Sequence, residues 1–450
     1  MKKKLFGTDG IRGKVNHFPM SPETVIKIGM AAAMALKKKH GRNMILIGKD
    51  TRLSGYMIES ALTSGICSMG MNVILVGPLP TPGVAFLTKT LRLDAGVVIS
   101  ASHNPFDDNG IKFFSSQGFK LPDEVENQIE EMAEDDEFFK KRPAGHEIGK
   151  AFRLEDAKGR YIEYIKSTIP KNVSLEGLKI VVDCANGAAY KITPWVLEEL
   201  GAEVITINGK PDGTNINASC GSLHTEGLRE AVLTHKADIG VAHDGDADRT
   251  ILVDEKGEIV DGDHMLAIWA LELKNEGRLP GETVVATIMS NLGVERFLEG
   301  HGIKFIRANV GDRFVTEKML KGGFALGGEQ SGHIVNLHLN STGDGPITAL
   351  HMVYLVKKLG LPLSGLKAPI PVYPQVLENV TIKTKLNPSN IPGLDDMIKK
   401  AEKELAENGR VLVRPSGTEP KIRVMVEGKD GNTVDRLVRQ ISSYIKEKTA

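Results

Sequence analysis

A serine and a histidine, Ser102 and His103, follow a run of β-branched residues that ends at Ile99. A buried strand that stops in a small, polar turn presents its last side chains at a sheet edge, where a serine hydroxyl can act as a nucleophile. His103 is not expected to be its base, because adjacent side chains on an extended backbone point to opposite faces. The segment also lacks the Gly-x-Ser-x-Gly elbow of serine hydrolases. Pro105 and the turn residues after it predict one exposed loop over residues 102–110, and a polar turn without chemistry remains the alternative.

Three aspartates alternate along the chain at Asp244, Asp246 and Asp248. Carboxylates this close repel each other unless a cation neutralises them, and Mg²⁺ prefers oxygen ligands while keeping positions open for phosphate or water. The spacing also mimics the start of an EF-hand calcium loop. However, Arg249 stands where that loop needs glycine, and the flanking residues are strand-like. The sequence therefore favours a magnesium site, with a turn of solvated acids as the alternative.

Two further segments combine glycine with arginine. The loop from Arg414 to Pro420 contains two hydroxyls and a glycine, and Arg423 follows it. Backbone N–H, hydroxyl and guanidinium donors in one loop can surround a phosphate, although this is not a Walker A loop, which ends in Gly-Lys-Ser/Thr. Near the N-terminus, Arg12 lies among three glycines, which suits a guanidinium brought close to an anion; a flexible chain start is the alternative.

The composition points to small molecules as partners. The 57 basic and 57 acidic residues cancel over 450 residues, so the chain lacks the positive field of nucleic-acid or anionic-membrane binders, and neither partner is expected. The three cysteines are odd in number and outside Cys-x-x-Cys spacing, which indicates neither a disulfide framework nor a zinc site and fits a reducing cytoplasm. The basic first residues run into a glycine-rich segment and not an apolar core, which argues against a signal peptide.

A strand-helix-strand-helix-strand pattern occurs three times along the chain, over residues 43–102, 178–249 and 283–333. The third strand of each repeat ends in a loop of unusual chemistry, and a smaller pattern follows from residue 370. The sequence predicts an α/β protein of three similar βαβαβ-containing domains plus a smaller α+β C-terminal domain. Because open α/β sheets bind ligands beyond the carboxyl ends of their strands, the domains are expected to surround one central cleft. The expected domain boundaries are 1–155, 156–254, 255–369 and 370–450.

Four of these loops resemble, in order, the signature loops of the α-D-phosphohexomutase superfamily, and the resemblance covers the whole chain. The loops are Ser-Ala-Ser-His-Asn-Pro at 100–105, Asp-Gly-Asp-Ala-Asp-Arg at 244–249, Gly-Glu-Gln-Ser-Gly-His at 328–333 and Arg-Pro-Ser-Gly-Thr-Glu-Pro at 414–420. In that superfamily each of four domains brings one loop to a central cleft. The resemblance implies that Ser102 is a phosphoserine, and that Ser102 and the three aspartates hold one Mg²⁺ per active site.

The resemblance also implies roles for the remaining loop residues. Three residues near Ser102 are candidates for handling protons and stabilising phosphate charge, and which of them is the general base stays open: Arg12, His103 and Lys112. Four residues are expected to bind the sugar phosphate: Arg249, Glu329, Ser331 and His333. Five residues are expected to clamp a phosphate: Arg414, Ser416, Gly417, Thr418 and Arg423.

The implied reaction is an isomerisation of a hexose phosphate through a phosphoserine enzyme and a sugar 1,6-bisphosphate, which also serves as activator. The opening motif at residues 6–13 and Gln330 are similar to the branch that acts on glucosamine phosphates. That branch implies interconversion of glucosamine 6-phosphate and glucosamine 1-phosphate, which feeds UDP-N-acetylglucosamine and cell-wall synthesis. Its members are commonly dimers, so the resemblance allows a homodimer. The alternatives are the same chemistry on glucose or mannose phosphates, a Mg²⁺-dependent phosphatase and a non-catalytic sugar-phosphate sensor.

Overall fold

The computed structural model describes residues 5–7, 9–38, 41–135, 137–140, 142–384, 386–416 and 420–449. Their contacts divide the chain into two compact units. The larger unit comprises the chain up to Ile288 together with Lys304–Ala368, and the smaller comprises Met289–Ile303 and the chain from Pro369 onward. Within the described residues, every helix is too short or too polar to cross a membrane.

The larger unit begins with a seven-stranded sheet. Its strands are β1 (Phe6–Gly7), β2 (Gly10–Lys14), β3 (Met44–Lys49), β4 (Asn72–Pro78), β5 (Ala95–Ile99), β6 (Asp108–Ser115) and β7 (Ala151–Arg153). Its helices are α1 (Pro22–Leu36), α2 (Ser54–Ser68), α3 (Thr81–Thr90) and α4 (Asp123–Glu134). The strand order is β1-β2-β6-β5-β3-β4-β7. All five residues of β5 are buried, as expected for a parallel strand covered on both faces.

The second sheet has five strands, in the order β12-β11-β10-β8-β9. Its strands are β8 (Lys179–Asp183), β9 (Glu203–Ile207), β10 (Ile239–His243), β11 (Thr250–Asp254) and β12 (Ile259–Val260). The helices of this segment are α5 (Ala157–Ser167), α6 (Ile192–Glu199) and α7 (Glu226–His235). Strand β8 runs parallel to both β9 and β10, and β11 returns antiparallel to β10.

The third sheet has four strands, in the order β14-β13-β15-β16. Its strands are β13 (Thr283–Thr287), β14 (Lys304–Ala308), β15 (Leu326–Gly328) and β16 (Ile334–Asn336). The helices of this segment are α8 (Gly262–Asn275), α9 (Leu292–Gly300), α10 (Asp312–Gly322), α11 (Gly345–Leu359) and α12 (Leu363–Lys367). Helix α9 groups with the smaller unit, although it connects two strands of this sheet.

The three sheets share one topology. In each, the first strand of the repeat lies between the second and the third, and a fourth strand runs antiparallel to the third: β6 beside β5, β11 beside β10 and β16 beside β15. The predicted repeat of three α/β domains is confirmed. The functional loops therefore join a strand of the parallel core to an antiparallel return strand, so each loop is anchored at both ends.

The smaller unit contains an antiparallel three-stranded sheet with helices, and it confirms the predicted α+β pattern at the C-terminus. Its strands are β17 (Gln375–Thr381), β18 (Gly409–Pro415) and β19 (Lys421–Gly428), in the order β17-β19-β18, and its helices are α13 (Leu394–Leu405) and α14 (Gly431–Thr449), besides α9. Short 3₁₀ helices along the chain lie at Phe138–Lys140, Gly145–Glu147, Gly221–Leu223, Pro280–Glu282, Pro388–Asn390 and Ala406–Asn408.

Candidate active site

The serine loop between β5 and β6 is buried at its start, from Ser100 to Ser102, and exposed at Pro105 and Phe106. Ser102 is buried and its φ is +52°, in the left-handed region. Its Oγ donates to Asp244 Oδ2 at 2.7 Å and lies 3.3 Å from His103 Nδ1. The predicted exposed loop over residues 102–110 is confirmed only at Pro105 and Phe106, because Ser102 and Asn109 are buried and β6 already begins at Asp108. His103 does not face away from Ser102 as predicted, because the backbone at Ser102 is not extended.

Arg52, which is not among the predicted site residues, holds this loop in place. Its guanidinium donates to the carbonyls of Ser102 at 3.0 Å and Asn104 at 2.8 Å, and also to that of Pro105. Asp50 in turn accepts from Arg52 Nε at 2.8 Å. Loop carbonyls that face inward need donors, and one buried guanidinium supplies several. The available signal was the charged strand end of β3, a parallel neighbour of β5 in the same sheet.

The three aspartates lie together at the end of β10. Asp244, Asp246 and Asp248 are buried, and each offers one carboxylate oxygen within 4.8 Å of the others. Burial, together with the Asp248 and Asp246 carboxylates, raises the pKa of Asp244 well above its usual range. Burial and the neighbouring carboxylates thus disfavour the charged form of Asp244, and a cation bound to the cluster would offset both effects.

The carboxylate oxygens fit a magnesium ion. Both oxygens of Asp244 accept hydrogen bonds, Oδ2 from Ser102 and Oδ1 from the Arg249 N–H at 3.3 Å. By contrast, Asp246 Oδ1 and Asp248 Oδ1 are buried and accept no hydrogen bond from any residue that the structure describes. Buried carboxylate oxygens without donors are suited to a hard, oxygen-seeking cation.

A group of buried charges borders the aspartates. Lys112 Nζ lies 2.9 Å from Asp246 Oδ2, 3.5 Å from Asp248 Oδ2 and 3.2 Å from Asp9 Oδ2. Burial disfavours the ammonium, yet the Asp246 and Asp9 carboxylates raise the pKa of Lys112 well above its usual range. Asp9 also pairs with Arg12 and, at 2.6 Å, with Lys120. Arg12 and Lys112 thus lie beside the same carboxylate at the serine loop.

His103 differs from these charged neighbours. Burial, with the nearby Arg249 and Arg12 cations, lowers its pKa to about 4. The ring is therefore neutral near pH 7, and Nδ1 can accept a proton. Of the three candidates, Lys112 is a cation and His103 a neutral base.

The loop between β15 and β16 carries the predicted sugar-binding residues. Glu329 Oε1 accepts from the Gly311 N–H at 3.0 Å. Ser331 Oγ is buried and has no hydrogen-bond partner among the described residues. His333 Nδ1 lies 3.7 Å from Asp248 Oδ2. Burial disfavours the charged ring, yet the Asp248 and Asp312 carboxylates raise the pKa of His333 to about 9, so the ring is a cation near pH 7.

These loops face one cavity within the larger unit. The cavity measures about 1020 Å³, which is large enough for a sugar phosphate. Five of the predicted site residues line it together with Asp248: Arg12, His103, Arg249, Glu329 and His333. The Arg249 side chain is partly buried, and its buried Nε has no hydrogen-bond acceptor among the described residues, so the guanidinium can bind an anion.

The smaller unit holds the predicted phosphate clamp at its β18–β19 hairpin. Arg414 and Arg423 are directly paired across the two strands. Burial, and then the neighbouring Arg423 cation, lowers the pKa of Arg414. Ser416 is buried and its N–H donates to the Lys421 carbonyl at 2.8 Å. Two adjacent guanidinium groups favour an anion. Gly417 and Thr418 lie outside the described residues.

Models of four domains of one protein family match most of this sequence, including the segments that form the three sheets, the aspartate loop and the hairpin. The phosphoglucomutase/phosphomannomutase alpha/beta/alpha domains I, II and III match residues 3–140, 159–257 and 261–373, and the C-terminal domain matches residues 377–443. The chain belongs to this family.

Individual relatives are similar over the full length. The chain is 58% identical over 443 residues to a phosphoglucosamine mutase of Thermodesulfovibrio yellowstonii, with 98% of each chain covered. It is 54% identical over 447 residues to a phosphoglucosamine mutase of Syntrophotalea carbinolica, with 99% of this chain and 98% of the relative covered.

Solved structures share the fold. A phosphoglucomutase/phosphomannomutase family protein from Burkholderia thailandensis superimposes with a TM-score of 0.82 at 23% identity, over 99% of this chain and 97% of the other. An N-acetylphosphoglucosamine mutase of Aspergillus fumigatus, solved with GlcNAc-6P and magnesium, superimposes with a TM-score of 0.69 at 16% identity, over 100% of this chain and 96% of the other.

Proposed function

We propose that this protein interconverts glucosamine 6-phosphate and glucosamine 1-phosphate through phosphorylated Ser102. The observation that carries the proposal is the contact of Ser102 Oγ with a buried cluster of three carboxylates, two of which offer oxygens that accept no hydrogen bond from the described residues. The family and the full-length similarity to two phosphoglucosamine mutases support the choice of substrate. The same chemistry on glucose or mannose phosphates is the alternative.

In the proposed reaction, the bond between phosphorus and Ser102 Oγ breaks while a bond to the free hydroxyl of the sugar phosphate forms. The hydroxyl must lose its proton, and neutral His103, with Nδ1 3.3 Å from Ser102 Oγ, is placed to accept one. Lys112 remains an ammonium and balances charge beside the phosphoryl group. Mg²⁺ held by Asp244, Asp246 and Asp248, with Ser102, would supply positive charge to the transferring oxygens.

The product of this first step is a sugar 1,6-bisphosphate, whose other phosphate must return to Ser102. The substrate must therefore be bound in two orientations, which requires groups that recognise the sugar and groups that recognise a phosphate. We assign sugar and phosphate contacts in the larger unit to Arg249, Glu329, Ser331 and His333. We assign phosphate binding in the smaller unit to Arg414, Ser416, Gly417, Thr418 and Arg423.

Three finer points belong to the same proposal. One functional loop lies in each of the segments 1–155, 156–254, 255–369 and 370–450, which we take as the domains. A sugar 1,6-bisphosphate is expected to activate the enzyme by restoring the phosphate on Ser102. A homodimer is also expected, and sedimentation of the purified protein checks it.

The test is an assay of a panel of hexose and hexosamine 6-phosphates, in which phosphorus NMR follows the 1-phosphate product and free phosphate together. We expect the highest kcat/KM for glucosamine 6-phosphate and no release of free phosphate. Equal or higher kcat/KM for glucose or mannose 6-phosphate would transfer the assignment to the alternative. Release of free phosphate without an isomerised sugar would identify a phosphatase instead.

A further inference from the structure

Asp246 is held by a residue that lies outside the metal loop. Thr81, the first residue of α3, donates from Oγ1 to Asp246 Oδ2 at 2.7 Å and from its backbone N–H to the Asp246 carbonyl at 2.9 Å. The two residues are 165 positions apart in sequence. Both are buried, Thr81 at 1% exposure and Asp246 at 0%. One threonine therefore fixes both the main chain and the side chain of this aspartate.

The contact determines which oxygen of Asp246 is available. Oδ2 also accepts from Lys112 Nζ at 2.9 Å, so two donors occupy it. Oδ1 accepts from none of the described residues. A carboxylate that could rotate freely would present either oxygen, whereas this one is held with Oδ2 toward its donors. Oδ1 is therefore the oxygen left for a cation.

We propose that Thr81 is a positioning residue for the magnesium site, because its hydroxyl orients Asp246 so that Oδ1 is offered to the ion. The inference rests on the proposed function, in which the three aspartates hold Mg²⁺. Partners that orient a metal ligand typically change metal affinity by about 10- to 100-fold when they are removed. Thr81 lies on α3, beside the first sheet, and Asp246 lies in the loop between β10 and β11 of the second sheet. The contact therefore also ties the metal loop to the segment that carries Ser102.

The test compares Mn²⁺ binding to the full-length protein, measured from the electron paramagnetic resonance signal of the free ion. Thr81→Val removes the hydroxyl and keeps the volume, and we expect it to weaken Mn²⁺ binding by about 10- to 100-fold. Thr81→Ser keeps the hydroxyl and is expected to restore the affinity. In the mutase assay, Thr81→Val should raise the half-saturating Mg²⁺ concentration by a similar factor, while kcat at saturating Mg²⁺ changes little.

Thr88→Val is the matched control. Thr88 lies on the same helix at 0% exposure, and its Oγ1 donates to the Val84 carbonyl at 2.7 Å within that helix. Its loss removes a buried hydroxyl without touching Asp246, so Mn²⁺ affinity should stay at the wild-type value. If Thr81→Val is insoluble, Thr81→Ala, which also lacks the hydroxyl, takes its place beside Thr81→Ser.

The outcomes separate this inference from the proposed function. If the wild-type protein binds no Mn²⁺, or if Asp246→Asn binds it as well as wild type does, the proposed metal site is wrong. If wild type binds one ion and Asp246→Asn does not, but Thr81→Val and Thr81→Ala bind it with wild-type affinity, only the role of Thr81 is overturned. Equal weakening by Thr81→Val and Thr88→Val would likewise overturn it, because the effect would then come from helix packing.

Discussion

Replacement of Lys112 by methionine tests whether the buried ammonium substitutes for part of the metal charge. Lys112 Nζ lies within 3.5 Å of carboxylate oxygens of Asp246, Asp248 and Asp9, and its side chain is only 3% exposed. Methionine keeps an unbranched stem of similar length and removes the charge. We expect Lys112→Met to have a lower free energy of unfolding than wild type in the absence of metal. Mg²⁺ should raise this free energy more in the variant than in wild type. The variant should also lose activity.

The magnitude follows from the burial of the group. Removing one partner of a buried ion pair lowers the free energy of unfolding by about 3–5 kcal/mol, because the other charge is left without compensation. A divalent ion can replace the missing charge, and its binding is no longer opposed by the repulsion of an ammonium on the same carboxylates. Tenfold tighter Mg²⁺ binding adds about 1.4 kcal/mol to the stabilisation by Mg²⁺ at a fixed excess of the ion. Loss of the positive charge beside the phosphoryl group should lower kcat by about 10²- to 10³-fold.

The assay is denaturant unfolding in chelator and in excess Mg²⁺, with the mutase assay alongside. Lys49→Met is the matched control, since Lys49 Nζ is also buried and lies 2.7 Å from Glu59 Oε2, away from the metal loop. Lys49→Met should lower the free energy of unfolding by a similar amount in chelator and in excess Mg²⁺. Mg²⁺ should therefore stabilise it as much as it stabilises wild type. If Mg²⁺ stabilises Lys112→Met no more than wild type, the ammonium does not compensate the metal-binding carboxylates and the reasoning fails.

Three further predictions concern other groups. Ser102→Ala should abolish both turnover and the phosphate found by peptide mass spectrometry, whereas a phosphorylated or fully active variant would remove Ser102 from its proposed role. Gln330→Met should narrow the preference for glucosamine 6-phosphate over glucose 6-phosphate more than it lowers turnover. The substitution removes an amide whose Nε2 donates to Asp261 at 3.2 Å and whose oxygen can accept from an amino group. An unchanged ratio of the two kcat/KM values would exclude a role of Gln330 in sugar recognition. His351→Phe should reduce acid sensitivity: burial lowers the pKa of His351 to about 3 from 6.5, so between these values the unfolded state binds more protons and wild-type stability falls as pH falls. From pH 7 to pH 4.5 the free energy of unfolding of wild type should fall by about 2–3 kcal/mol more than that of the variant. Equal losses would contradict the lowered pKa of His351.

Much of the fold could be predicted from local pattern. The parallel strands are short, buried runs rich in β-branched residues, and the helices between them begin at recognisable signals such as Pro22 in α1. The antiparallel return strands were harder to predict. Strand β16 has only three residues, Ile334–Asn336, and three residues carry too little periodicity to indicate a strand. Its existence depends on pairing with β15, which is tertiary information.

The loop chemistry could be predicted by residue type but not by geometry. The alternation of Asp244, Asp246 and Asp248 indicates a cation site without any structure, because close carboxylates need a counter-charge. The left-handed φ of Ser102 has no comparable sequence signal, since serine rarely adopts it. Arg52, which follows a different strand, donates to the loop carbonyls and stabilises this conformation of Ser102. The misjudged position of His103 follows directly from that missing constraint.

The charges of the larger unit explain why its three domains have to fold together for the site to exist. The Lys112 ammonium belongs to the first domain, but its strongest partner, Asp246, belongs to the second. Lys120 of the first domain pairs with Asp312 of the third at 2.6 Å. In a separated first domain both lysines would keep Asp9 as a partner but lose their contacts with Asp246 and Asp312. These ion pairs therefore also favour the assembled domains over separated ones. A substitution at Lys112 that weakens catalysis is expected to weaken domain association as well.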